Sequence, residues 1–79
     1  MKVAEKKILN AAFAEVEQMI DSLTRIKDDW EESIDGKSDK WRESEKGERQ
    51  QERIDALTNV LDSLETIKDD LQTATQEDE

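Results

Sequence analysis

The chain has no histidine, no cysteine, no tyrosine and no proline, and only two glycines in 79 residues. Each absence excludes something. Without cysteine there is no disulfide framework to supplement a small core, and no thiolate chemistry or Cys-based metal site. Without histidine, serine and threonine hydroxyls lack their usual general base, and the paired acids Asp28–Asp29, Glu31–Glu32 and Asp69–Asp70 are sequence neighbours that diverge on a helix. No enzymatic activity is expected, and no catalytic residue, cofactor or metal ligand is assigned. There is also no run of about 18 apolar residues to span a bilayer, and MKVAEKKILNAAFAEV is too interrupted by charge for a signal peptide. The expected location is the cytoplasm, that of the host if a phage encodes the protein.

Charged side chains make up 43% of the chain and apolar ones 33%, which approaches the regime where a chain folds only if its apolar residues are well placed. They are well placed. Leu9, Ala12, Phe13, Val16, Met19, Ile20, Leu23, Ile26, Trp30 and Ile34 recur in steps of three and four, as do Ile54, Leu57, Val60, Leu61, Leu64, Ile67, Leu71 and Ala74. One helix is expected over about 3–34 and a second over about 44–75, with a turn over 35–43 and a frayed acidic tail over 76–79. Ser44, and Ser38 or Asp39, supply N-caps.

A connection this short makes the helices antiparallel neighbours. The reading is therefore all-α: a single coiled-coil-like hairpin domain spanning 1–79. Its seam comprises Phe13, Val16, Ile20, Leu23 and Ile26 on the first helix, with Ile54, Leu57, Leu61, Leu64, Ile67 and Leu71 on the second. Setting Leu9 near Leu71 brings Ile26 beside Ile54, leaving Trp30, Ile34 and Trp41 to close the turn end. The phrases IDSLTRIKDDW and LDSLETIKDDL align at an offset of 41 residues, apolar on apolar, and leave duplication and convergence on one helical stripe equally open. Lys27 and Lys68 hold matching seam-like places, where their stems can cover apolar surface while the ammonium reaches water. Met19, Ile26, Val60 and Ile67 widen each stripe to three positions in seven, more than one partner helix covers. A homodimer forming a four-helix bundle, or a protein partner, is expected to take up the excess. The order of a dimer, parallel or antiparallel, is open.

The loop ESIDGKSDK has acids and a glycine in the order of a calcium-binding loop. An EF-hand starting at Glu31 would place Lys37 at the backbone-ligand position and Arg42 where the bidentate glutamate belongs. An ordinary turn is expected instead, with Gly36 supplying a positive backbone angle. Gly47, early in the second helix, costs about 1 kcal/mol against alanine and so implies close packing, a contact surface or a cap.

Net charge is -10, from 22 acids and 12 bases. That argues against direct binding to nucleic acid or anionic membrane, which need a basic face, and suits a basic protein partner. The acids cluster at Asp28, Asp29, Glu31, Glu32 and Asp35, and again at Asp62, Glu65, Asp69 and Asp70, whereas Lys37 to Arg53 carries six bases against five acids. These two patches are the candidate partner-binding residues, with Trp30 and Trp41 as aromatic anchors. Mimicry of a continuous nucleic-acid rod is not supported. A helix of about 32 residues is about 48 Å long, and duplex DNA of that length carries about 28 phosphate charges.

From Trp41 the chain reads WRESEKGERQQERIDALTNVLDSLETIKDDL, which resembles a group of small acidic helical proteins of bacteriophages and prophages. Trp41, Ser44, Lys46, Gly47 and Glu48 match their aromatic, Ser-x-Lys/Arg-Gly-Glu opening, and Ile54, Leu57, Leu61 and Leu64 their Leu-rich helix; GKSDK stands where they carry a Pro-containing turn. The resemblance implies a phage-derived, noncatalytic interaction module. An acidic inhibitor of a host nucleic-acid-handling or defence enzyme, of the anti-restriction or anti-CRISPR type, is the expected use. A hairpin that oligomerises as a spacer or virion-associated component is the alternative.

Overall fold

The computed structural model describes residues 1–76, and its elements are α1 (Val3–Asp35), α2 (Asp39–Glu43) and α3 (Glu45–Thr75). The two long helices pack against each other as an antiparallel hairpin, giving a rod of 60 × 15 × 14 Å. Both long spans fall within a residue of expectation. The turn does not stay a loop: a third, one-turn helix occupies its second half. Of the expected tail, residues 77–79 lie outside the described residues.

The buried and half-buried positions define the seam. On α1 they are Leu9, Phe13, Val16, Ile20, Leu23, Lys27, Trp30 and Ile34, together with Ala12; on α3 they are Gly47, Gln50, Ile54, Leu57, Leu61, Leu64, Lys68, Leu71 and Thr75, together with Thr58. Steps alternate strictly between three and four, so each helix carries an unbroken heptad repeat, with Phe13 and Ile54 at a positions and Val16 and Leu57 at d positions. Ile26 and Ile67, expected in the seam, are instead 40% and 44% exposed, one position before Lys27 and Lys68. The lysines take the seam places. Lys27 keeps its stem there and reaches Glu31 at 3.5 Å, and the Lys68 ammonium lies 5.9 Å from the centre of the Phe13 ring.

The register also differs from expectation. Ile54 shares a cleft with Glu31, Ile34 and Gln51 rather than lying beside Ile26, and at the open end Asn10 and Phe13 share one with Gln72 and Thr75. The reason is the turn. Matching the aliphatic residues alone ignores the two seam lysines and the chain taken up by α2, and both move α3 along α1.

Caps and a glycine build that turn. Ser38 accepts the Trp41 N–H at 3.2 Å and so caps α2, and Ser44 accepts the Gly47 N–H at 3.3 Å and caps α3. Gly36 ends α1 with φ -79° and ψ -6°, so the expected positive angle is absent. Gly47 is the demanding position. A Cβ there would sit 2.5 Å from the Arg42 carbonyl oxygen and 2.7 Å from its Cα, and would also strike the Trp41 carbonyl. The close packing expected of Gly47 is real, and it is against the α2 backbone.

Among the described residues only Val16 and Ile54 are buried apolar side chains, at 7% and 4% exposure. Stability therefore rests on few residues. Ile54→Ala should lower the unfolding free energy by about 2–5 kcal/mol. Gly47→Ala should cost about 1–3 kcal/mol through backbone displacement, whereas Gly36→Ala, whose Cβ meets nothing nearer than 3.7 Å, should be neutral or gain up to about 1 kcal/mol. Urea unfolding followed by circular dichroism checks all three.

Candidate functional site

The corner between α1 and α3 is the most constructed part of the surface. The last turn of α1 has acids and no base, the unfavourable sign for the negative end of a helix dipole. Arg42 supplies the missing cation from α2. Its Nε donates to the Ile34 carbonyl at 3.3 Å and a terminal nitrogen donates to that of Asp35 at 3.0 Å, with Asp39 at 3.7 Å from the other. The residue that breaks the calcium-loop pattern thus serves as the C-terminal cap of α1. Ser44 donates its hydroxyl to the Trp41 carbonyl, and Lys37 stands 5.4 Å from the centre of the Trp41 ring.

Three clefts fix the two flanks of the hairpin. Glu31 with Gln51, and Asn10 with Gln72, are e positions meeting e positions across the seam. Ser33 with Lys46 and Arg53 are g positions meeting g positions in a cleft that also contains Lys37, Trp41, Arg49 and Gln50. From Asn10 onward the e flank is polar: Asn10, Glu17, Thr24 and Glu31 on α1, and Gln51, Thr58, Glu65 and Gln72 on α3, with the exposed Val3 the apolar e residue of the first turn. The g flank is not. It carries Ala12, Met19 and Ile26 from α1 and Val60, Ile67 and Ala74 from α3, and the four larger side chains are 40–46% exposed. The excess apolar width expected from sequence thus gathers on one side, because g faces g in an antiparallel pair.

All nine candidate acids are exposed. Asp28, Asp35, Asp62 and Asp69 stand at b, Glu32 at f, Glu31 and Glu65 at e, and only Asp29 and Asp70 at c, beside the g flank. Seven of the nine acids therefore occupy the outer and e-facing surfaces, and Asp29 and Asp70 border the apolar strip. The two indoles separate. Trp30 is half-buried at a seam position, and Trp41 is half-buried among the bases of the g flank, so Asp28 to Asp35 does not form a rim around Trp41. That basic cluster escaped notice in the sequence because Lys37 to Arg53 is nearly neutral overall. Sorting the segment by helical face, which puts Lys46, Arg49 and Arg53 on one side, would have found it.

Among the described residues no group of three or more His, Cys, Asp or Glu is arranged to hold a metal ion, and no helix is long and apolar enough to cross a membrane. Comparison with protein-family models, with curated proteins and with solved structures finds no match. Function must be read from the surface itself.

Arg42→Ala should leave helix content unchanged while lowering stability by about 1 kcal/mol, the scale of exposed charge-assisted hydrogen bonds. Arg42→Lys should restore only part of the loss, since an ammonium lacks the forked geometry that reaches two carbonyls at once. Chemical denaturation of the three proteins at one ionic strength measures this.

Proposed function

We propose that the chain is a noncatalytic protein–protein interaction module, a homodimeric four-helix bundle that binds a basic protein through the acids of its outer faces. The observation that carries this reading is a partial segregation of surfaces: four exposed apolar residues, Met19, Ile26, Val60 and Ile67, lie together on the g flank, and seven of the nine clustered acids stand at b, e and f, with Asp29 and Asp70 at its margin. The two surfaces suit different partners. An apolar strip favours a matching apolar strip, and acids free of the strip remain available to a Lys- and Arg-lined groove after dimerisation.

The resemblance of Trp41 to Leu71 to phage proteins narrows the basic partner to a host enzyme of nucleic-acid handling or defence, which the bound module would inhibit by occupying its groove. No direct contact with nucleic acid or membrane is involved, and no cofactor. The 60 Å rod with its apolar flank also favours a second reading, an oligomerising spacer or virion-associated component. Salt separates the two. Binding to a basic groove weakens several-fold from low to physiological ionic strength, whereas apolar self-association holds or strengthens.

Capture from a bacterial lysate at low salt, followed by kinetics on the purified partner, provides the test. Neutralising Asp28, Asp29, Glu31, Glu32 and Asp35 to Asn and Gln should slow association by roughly tenfold and flatten its salt dependence. Helix content should persist, because acids near a helix C-terminus are worth about 0.3–1 kcal/mol each in the wrong direction. An unchanged rate and salt slope after the same treatment of Asp62, Glu65, Asp69 and Asp70 as well would exclude the acidic faces as the binding surface.

A further inference from the structure

We infer that the g flank is covered by a second copy of this chain laid antiparallel, the turn end of one hairpin over the open end of the other. This rests on the homodimer proposed above and fixes its orientation.

The strip is self-complementary. Met19 stands level with Ile67 across the seam and Ile26 with Val60, so the four residues surround a centre through which a two-fold axis maps the strip onto itself. An isologous interface requires this arrangement. Their exposure, 40–46%, leaves each side chain half wrapped by its own hairpin and half open. The flank is also large enough. A face 60 Å long and 15 Å wide can supply the roughly 800 Å² per partner of a standard interface.

Charge selects the direction. The turn end of the flank carries Lys37, Lys46, Arg49 and Arg53 around one cleft, with no acid lining it. Arg49 is partly engaged, 2.9 Å from Glu45, and Arg53 donates to the Gln50 side-chain oxygen at 3.5 Å. The opposite half carries Glu5 at g and Glu15 and Asp70 at c, while Lys2, Lys6 and Lys7 fall at d, a and b, off the flank. A two-fold through the strip brings Lys46 of each copy level with Glu5 of the other, and Arg53 within about one turn of Asp70 and Glu15. The parallel alternative stacks the basic clefts on each other, and like charges held together oppose association. Asp29, at the peripheral c position, makes a like-charge approach in the antiparallel arrangement.

Because the chain lacks cysteine, Lys40→Cys gives one nitroxide site per copy, on α2 and outside the apolar strip. Sedimentation should first give a dimer at micromolar concentration. Pulsed electron resonance on that dimer should then read a separation above about 40 Å, because the labels lie near opposite ends of the overlap at 1.5 Å per residue. Ile26→Glu with Ile67→Glu should raise the dissociation constant at least tenfold while helix content stays unchanged. Lys46→Glu with Arg53→Glu should weaken the dimer several-fold, and adding Glu5→Lys with Asp70→Lys should restore it.

A monomer at every concentration would overturn both the dimer and its orientation. A dimer with labels within about 25 Å, or one indifferent to the Ile26 and Ile67 changes, would overturn this inference and leave the dimer standing.

Discussion

The hairpin depends on one close approach, that of Gly47 to the Trp41 and Arg42 backbone. No side chain fits between them, so α2 must lie directly on the first turn of α3. This contact sets where α3 begins and hence which of its residues faces each turn of α1. Ser44 binds the same corner from both directions, accepting from Gly47 and donating to Trp41, and Arg42 ties α2 to the end of α1. A rod two helices thick has no second layer to correct a slipped register. The corner therefore carries a constraint that a larger fold would distribute over many core residues.

A single seam also limits how much burial the chain can achieve. Each helix buries a and d positions only against the other, and two of those positions, Lys27 and Lys68, are lysines. Their stems contribute apolar contact, but their charged ends must reach water, Glu31 or the Phe13 ring. The seam is correspondingly thin, with two buried apolar side chains in the described chain. Placing Met19, Ile26, Val60 and Ile67 together on one flank is the arrangement from which a further layer can grow, whereas the polar e flank offers no such surface.

Most of the fold was legible because helical spacing and the scarcity of breakers state it directly. The spans of both long helices, the caps at Ser38 and Ser44, and the tight environment of Gly47 all follow from local chemistry. The register did not, since it depends on how much chain α2 takes up, and the expected pairing kept Ile26 and Ile67 in the seam although Lys27 and Lys68 already held seam-like places. The role of Gly36 was misjudged for a related reason: glycine permits a positive angle without requiring one, and α1 ends here in right-handed geometry capped from a distance by Arg42. The exposed acids were visible in the sequence and the basic cleft was not, because opposite charges that alternate along a chain cancel in any linear window. Only the helix separates them by face.

The acids at the end of α1 go against the local rule, and that bears on what they are for. Glu31, Glu32 and Asp35 stand at the negative end of the helix dipole, where lysine or arginine would stabilise. The chain tolerates them by bringing Arg42 from α2 to the exposed carbonyls. Compensation of this kind is expected where a surface is retained for binding rather than for stability. Solubility alone is a weaker explanation, since the same charge spread evenly over the outer faces would keep the protein in solution without opposing the dipole. Glu32 and Asp35 thus stand against the dipole in the last turn, Glu31 is offset by its ion pair with Lys27, and Arg42 holds the helix end that carries them.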